Sequence, residues 1–284
     1  CYNALQPGLT DWHVRCARCA YEGALLDRRI NEAGAHQSID EVQREQGLKT
    51  LRQDNFRQLL QELRSLAPPG GSLLEVGCAH GWFLSLAKTS YQVTGIEPDD
   101  EVRCVAVTAG LDVRAGFFPQ ALGADERFDV IVFNDVFEHL PDPESLLDKV
   151  QHHLSPGGLV LFNLPSSGGV FYRVARFFAR VGSSKLFDRM WQKGMPSPHL
   201  HYFDQRNLQT LLSRRGWRTV SCGVLPSVRW HGLWSRIAYD QRSPLPMQVL
   251  IWLMVVLTLP VIRLLPADIM FLLAVMQPDG MTPV

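Results

Sequence analysis

Four short apolar runs, Leu73 to Val76, Val93 to Ile96, Val130 to Phe133 and Leu159 to Leu164, recur along the chain with helix-like segments between them. Strands buried on both faces read as continuous apolar stretches, and parallel neighbours need a crossover long enough to hold a helix. The alternation therefore predicts a doubly wound α/β sheet. Ahead of it, Ser38-Ile-Asp-Glu41 reads as a capping box, and apolar residues return at helical spacing to about Leu66. Phe56, Leu59, Leu60, Leu63 and Leu66 would share one face, and Pro68-Pro-Gly-Gly71 stops the helix. Order loosens over residues 166–198, rich in Arg and aromatics. It resumes with a helix over Gln205 to Arg215, a strand over Trp217 to Val224 and a last strand over Ile269 to Val275. The expected organisation is an irregular cysteine-containing segment over 1–37 and an α/β domain over 38–284, with insertions near 166–200 and 225–266.

The first strand runs into Leu73-Leu-Glu-Val-Gly-Cys-Ala-His-Gly81 and then a helix. Glycine serves where the backbone must turn tightly and approach a ligand without a Cβ in the way. The next strand ends at Glu97, roughly 20 residues after the turn, where a carboxylate accepts hydrogen bonds from both ribose hydroxyls. Together they predict a nucleoside site. The bland alternative makes Glu97 a helix cap beside Asp99 and Asp100.

The turn reads E-x-G-x-x-x-G rather than G-x-G-x-x-G, with the acid inside the strand end. Here the chain resembles class I S-adenosylmethionine-dependent methyltransferases, in particular the small-molecule branch that includes quinone-biosynthesis O-methyltransferases. The stretches Phe128-Asp-Val-Ile-Val-Phe-Asn-Asp-Val-Phe-Glu-His139-Leu-Pro-Asp-Pro143, Leu154-Ser-Pro-Gly-Gly-Leu-Val-Leu-Phe162 and Asp268-Ile-Met-Phe-Leu-Leu-Ala-Val275 extend the likeness. The resemblance implies a Rossmann-like seven-stranded sheet, mostly parallel with an antiparallel last strand pair, and S-adenosylmethionine as cofactor. It implies that Glu75, Gly77 and Gly81 line the methionine end, that Glu97 holds the ribose, and that Asn134 and Asp135 lie beside the site. Cys78, Pro98 and Phe117 complete the implied cofactor-binding set. Two departures stand out: Ala79 occupies the usual third glycine position, and His80 replaces a small or polar residue. The loop Ala115-Gly116-Phe117-Phe118 lacks the acid that often meets the adenine amine, which leaves stacking and backbone contacts for that ring.

Methyl transfer to oxygen needs in-line placement and removal of a proton. Histidine suits the second task near neutral pH, and His139, His199 and His201 are the candidate bases. Each also has a structural alternative: His139 could merely bond its loop, and His199 or His201 could orient the helix start before Asp204. His152 and His153 read as surface residues. The expected reaction is O-methylation of a small or lipid-like acceptor. C- or N-methylation, a silent nucleoside-binding module at a membrane, and a nicotinamide oxidoreductase are the alternatives.

Lys plus Arg and Asp plus Glu both number 28. That balance argues against a nucleic-acid partner, which usually calls for a basic excess. Six cysteines among 284 residues make no disulfide scaffold, and no charged-then-apolar leader opens the sequence. A cytoplasmic protein is expected, peripheral at most at the inner membrane face. Cys16 and Cys19 form a C-x-x-C; with Cys1 they suit half a zinc knuckle whose remaining ligands would precede Cys1, with His13 as a substitute, or else they are free thiols. Met247 to Ile262 is sixteen residues without a formal charge. At ~1.5 Å per residue it reaches about 24 Å against a ~30 Å hydrocarbon core, so a buried helix or one dipping into a leaflet is expected. Val170 to Val181 places Arg173, Arg176 and Arg180 on one face of an amphipathic helix, suited to an anionic membrane surface or to a lid over an oily substrate.

Overall fold

A computed structural model describes residues 5–27, 41–230, 232–238, 244–262 and 264–277. Cys1 and residues 38–40 of the expected capping box lie outside the described residues. Three short strands come first, β1 (Gln6–Pro7), β2 (His13–Arg15) and β3 (Glu22–Ala24). Helix α1 (Glu41–Leu66) leads into β4 (Ser72–Val76), α2 (Trp82–Ala87), β5 (Gln92–Glu97), α3 (Asp100–Thr108), β6 (Val113–Ala115) and β7 (Phe128–Asn134). A 3₁₀ turn (Phe137–His139), α4 (Pro143–His152) and β8 (Leu154–Pro165) follow, then α5 (Val170–Arg180), α6 (Lys185–Met190) and β9 (His201–Tyr202). The chain closes with α7 (Gln205–Arg214), β10 (Trp217–Leu225), α8 (Leu233–Ala238), α9 (Leu245–Ile262) and β11 (Ile269–Met276).

The main sheet has the order β10-β11-β8-β7-β4-β5-β6. Its strands from β4 to β8 run parallel, and β11 lies antiparallel to both β8 and β10. This is the expected doubly wound sheet. Leu73, Leu74, Val130 to Phe133 and Val160 to Phe162 are fully buried, as strands covered on both faces must be. Strand order reverses between β4 and β7, which opens a crevice at their carboxyl ends. Along α1, Phe56, Leu59, Leu60 and Leu63 enter the core as expected, whereas Leu66 is exposed and Ala67, just past the helix end, takes the buried place.

The segment that the sequence leaves irregular folds into a second sheet, β1-β2-β3-β9, in which Glu22 pairs with Tyr202 and Gly23 with His201. Trp12, Tyr172, Phe187, Trp191 and Tyr202 form its own apolar core. At the centre lies the buried Glu22 carboxylate, which accepts from the Tyr172 hydroxyl, from Nη1 of Arg176 at 2.8 Å and from Nε2 of His13 at 3.0 Å. Burial alone would push this carboxyl up, but those partners hold it below the ordinary range. Arg176, expected on a solvent-facing basic stripe, is thus turned inward. Arg173 and Arg180 stay exposed among Phe171, Val174, Phe177, Phe178 and Val181, all exposed as well. Asp268 caps α5 by accepting from the Phe171 amide at 2.7 Å, and a Cβ on Gly169 would fall 2.3 Å from that carboxylate.

One further expectation is corrected, and of the two alternatives for α9 the buried one falls away. His153 is buried, with Nδ1 donating to the Glu126 carbonyl at 2.8 Å; only His152 is a surface residue. The charge-free helix α9 is not a core helix: of its 18 residues only Gln248 and Leu259 are buried.

Candidate active site

The crevice at the ends of β4, β5 and β7 holds a cavity of about 320 Å³. Of the expected cofactor residues, Gly77, Glu97, Pro98, Phe117 and Asp135 line it. Gly77 sits at φ 68°, and a Cβ there would come within 2.6 Å of Val136, another lining residue. Ala79 adopts the left-handed region at φ 46°, and its amide donates to Glu97 Oε2 at 2.8 Å. The departure from glycine at this position therefore leaves the backbone path in place. Gly81 is needed for packing instead, since its Cβ would lie 2.4 Å from Leu111 Cδ1. The Cys78 thiol points into the core beneath Gly95, and burial pushes its pKa up.

Glu97 uses its other oxygen to accept from the Asp99 amide at 3.0 Å. The N-cap of α3 is Asp99, which accepts from the amides of Glu101 and Val102. The strand-tip carboxylate is therefore not that cap, and it faces the cavity. Glu75 and Asn134 stand one layer behind: Asn134 Nδ2 donates to Glu75 Oε1 at 2.8 Å, and Asn163 Nδ2 donates to Asn134 Oδ1 at 3.2 Å. The Leu84 backbone, in the first turn of α2, also acts on the Glu75 carboxyl and favours its charged form. Burial, with the Glu97 charge adding to it, pushes the Glu75 carboxyl up to about 8 despite the Asn134 bond.

The three candidate bases part company. His139 lines the cavity, and its Nδ1 donates to the Pro198 carbonyl at 2.9 Å. His199 is buried beside it, with ring centroids 4.7 Å apart. His201 is elsewhere: its Nε2 donates to the Leu140 carbonyl at 2.7 Å and its Nδ1 meets the Tyr21 hydroxyl. Burial pushes its pKa down to about 4. Cys16 and Cys19 flank the turn between β2 and β3, where the Ala20 amide bonds the Cys16 carbonyl at 3.1 Å. Among the described residues no third histidine, cysteine or carboxylate joins them in a ligand cluster. Sequence reasoning missed Arg52 of α1, which pairs with Asp135 at 3.2 Å, and Gln192 and Ser197, which close the cavity from the far side. An arginine on a charged helix and two polar loop residues carry no spacing signal.

Residues 48–222, more than half of the chain, match a family model described as a methyltransferase domain. The chain belongs to that family. Over 116 residues this methyltransferase is 30% identical to the ubiquinone biosynthesis O-methyltransferase of Hydrogenovibrio crunogenus, covering 38% of this chain and 48% of the relative. With the protein of the same name from Proteus mirabilis it shares 28% over 163 residues, covering 50% and 62%. The chain thus spans about half the length of the curated relatives it matches. Among solved structures, a S-adenosylmethionine-dependent methyltransferase from Thermotoga maritima superposes with a TM-score of 0.54 at 16% identity, covering 86% of this chain and 98% of that one. Magnesium protoporphyrin IX methyltransferase from Synechocystis with bound S-adenosylhomocysteine gives 0.53 at 12% identity, covering 82% and 87%. At such identities these neighbours establish the class I fold and nothing finer.

Proposed function

We propose that this methyltransferase moves the methyl group of S-adenosylmethionine to an oxygen of a small, lipid-like acceptor at a membrane surface. The observation that carries the reading is the cavity itself. It joins a carboxylate at the β5 tip and a glycine turn at one end to Asp135 and His139 at the other. When bound, S-adenosylmethionine supplies a methyl group activated by its sulfonium. Glu97 would hold the ribose hydroxyls, and Phe117, 45% exposed at the rim, would cover the adenine. His139 would meet the acceptor hydroxyl. Placement of donor and acceptor side by side in one site would supply much of the acceleration. The curated relatives' name, an O-methyltransferase of quinone biosynthesis, supports oxygen and an apolar acceptor.

The membrane surface rests on α9. At ~1.5 Å per residue its 18 residues reach about 27 Å, short of a ~30 Å hydrocarbon core. Both flanking strands belong to one sheet, and a return span would have to run through residues 226–244, which carry Arg229, Arg236, Asp240 and Arg242. The helix would therefore lie in the plane of one leaflet rather than cross. Trp230 and Trp234 are exposed beside it, Trp230 ring-to-ring with Trp252 at 5.8 Å, as befits side chains at the headgroup level. The Val170 amide bonds the Pro266 carbonyl, which joins the apolar start of α5 to the end of this segment.

Calorimetry with S-adenosylhomocysteine against NAD tests the cofactor: binding of NAD instead would overturn the reading. His139→Ala is expected to cut turnover while leaving S-adenosylhomocysteine affinity intact. In co-sedimentation with anionic vesicles, the protein should pellet, and Leu253→Glu with Leu257→Glu, both at exposed positions, should leave it in the supernatant. Equal recovery of wild type with and without vesicles would remove the membrane from the proposal.

A further inference from the structure

A second cavity, of about 400 Å³, shares no residue with the first and lies between the β1–β2 hairpin and α5. Local geometry brings three guanidinium groups to it. Side chains alternate along a strand, so His13 and Arg15 of β2 leave on one side, and residues four apart share a helix face, so Arg176 and Arg180 of α5 stand one above the other. All four line the cavity, together with Gln6 and Gly8 of the hairpin. Among the described residues no carboxylate lines it.

Charge around this cavity does not balance. Glu22 lies behind it, 1% exposed, and its carboxylate is already taken: Oε1 accepts from Arg176 Nη1, and Oε2 from His13 and from the Tyr172 hydroxyl. His13 brings no charge, because its Nδ1 accepts from the Leu9 amide at 2.9 Å and so carries no proton. Arg15 Nε stands 3.7 Å from Glu22 Oε1, too long for a hydrogen bond, and is a buried donor without a partner among the described residues. Arg180 is exposed and forms no ion pair among them. Three guanidinium charges against one carboxylate leave two positive charges around a single opening.

We propose that this cavity binds a phosphate monoester group through Arg15, Arg176 and Arg180. A guanidinium fork presents paired N–H groups that match the oxygens of a phosphate, and a monoester near neutral pH carries about −1.5 to −2, close to what the surplus requires. A carboxylate ligand would cancel half of it. Arg176 commits Nη1 to Glu22, and a guanidinium with five N–H donors keeps others for a ligand. The volume leaves room for the phosphate and the small organic group that it esterifies. That group can belong to a soluble phosphorylated metabolite or to the headgroup of phosphatidic acid, which present the same anion. None of the three arginines lines the cofactor cavity, so the site does not depend on the methyl-transfer reading.

The test is calorimetric titration of the full chain with glycerol 3-phosphate at low ionic strength and near neutral pH. Alongside it runs co-sedimentation with phosphatidylcholine vesicles containing phosphatidic acid or, at equal surface charge, the diester phosphatidylglycerol. Arg15→Gln and Arg180→Gln should each weaken binding by about tenfold or more, as loss of a charge-assisted bond should. Arg173→Gln, an exposed arginine of the same helix outside the cavity, should leave it unchanged. Arg176 stays in place because it also holds Glu22. Unaltered S-adenosylhomocysteine affinity in the variants would show that they are folded, and its absence in wild type would count against methyl transfer without touching this site. Glycerol 3-phosphate binding with that pattern supports the site and identifies a soluble ligand. Failure of that arm, with a preference for phosphatidic acid that both cavity variants abolish and Arg173→Gln keeps, supports the site and identifies the headgroup. No binding in either arm, binding that both cavity variants keep, or equal weakening in all three variants would overturn the proposal.

Discussion

Gly77→Ala is the sharpest probe of the turn at the cavity, because a second glycine provides its control. Gly77 and Gly110 share the left-handed region, at φ 68° and 75°. A Cβ on Gly110 would meet nothing within 4 Å, whereas one on Gly77 would come 2.6 Å from Val136 Cγ2. Both substitutions pay the left-handed cost of an L-residue, about 1–2 kcal/mol, and both change the freedom of the unfolded chain alike. Gly77→Ala must in addition displace Val136, which overpacking data place at about 1–3 kcal/mol. The difference between the two variants should therefore be about 1–3 kcal/mol in urea unfolding, and with an m-value of about 3 kcal/mol/M the midpoint should move by a further ~0.3–1 M. Val136 follows Asp135, so the shift also reaches the cavity, and S-adenosylhomocysteine affinity should fall in Gly77→Ala alone. Equal midpoints with equal affinities would refute the claim that this turn shapes the cofactor site.

Two predictions concern pH. Glu22 is held below its ordinary pKa in the folded state, so its contribution to stability is present above the unfolded carboxylate value and is lost as pH falls through the folded one. Acid unfolding followed by the fluorescence of Trp12 and Trp191 should begin at a higher pH, and be less steep, in Glu22→Gln than in wild type. His201 is shifted from 6.5 down to about 4, so the unfolded chain binds its proton first. Stability should therefore decline by about 3 kcal/mol as pH drops from 6.5 to 4, and a His201→Asn variant should show a flatter slope across that window in urea titrations.

The main sheet was legible because each of its central strands is apolar without interruption, and because turn and acid fall at a spacing that backbone geometry dictates. Glu97 and Gly77 follow from that pattern. The small sheet was not legible. Its strands are two or three residues long, and β9 pairs with β3 across a separation of about 180 positions, so local periodicity carries no trace of it. Arg176 shows the same limit: helical spacing put it on a basic stripe, but a buried acid from another part of the chain turned it inward. Glu138 reads in sequence as a loop residue, and its burial arises only when the segment at Leu200 closes over it. The exposure of α9 was equally out of reach, since a helix apolar on every side can be a core element or a surface one, and composition does not distinguish them.

The backbone bond from Ala24 to Leu200, at 2.9 Å, and that from Leu200 to Glu138, at 2.8 Å, form a continuous tether. One end is a hairpin near the start of the chain; the other is the floor on which an acceptor would rest. Trimming the first 27 residues to obtain a minimal domain would cut that tether, and the trimmed protein should fold its sheet yet lose the shape of its far wall. Conversely, anything that grips the leading hairpin acquires a mechanical handle on the reaction chamber, although it touches neither cofactor nor acceptor.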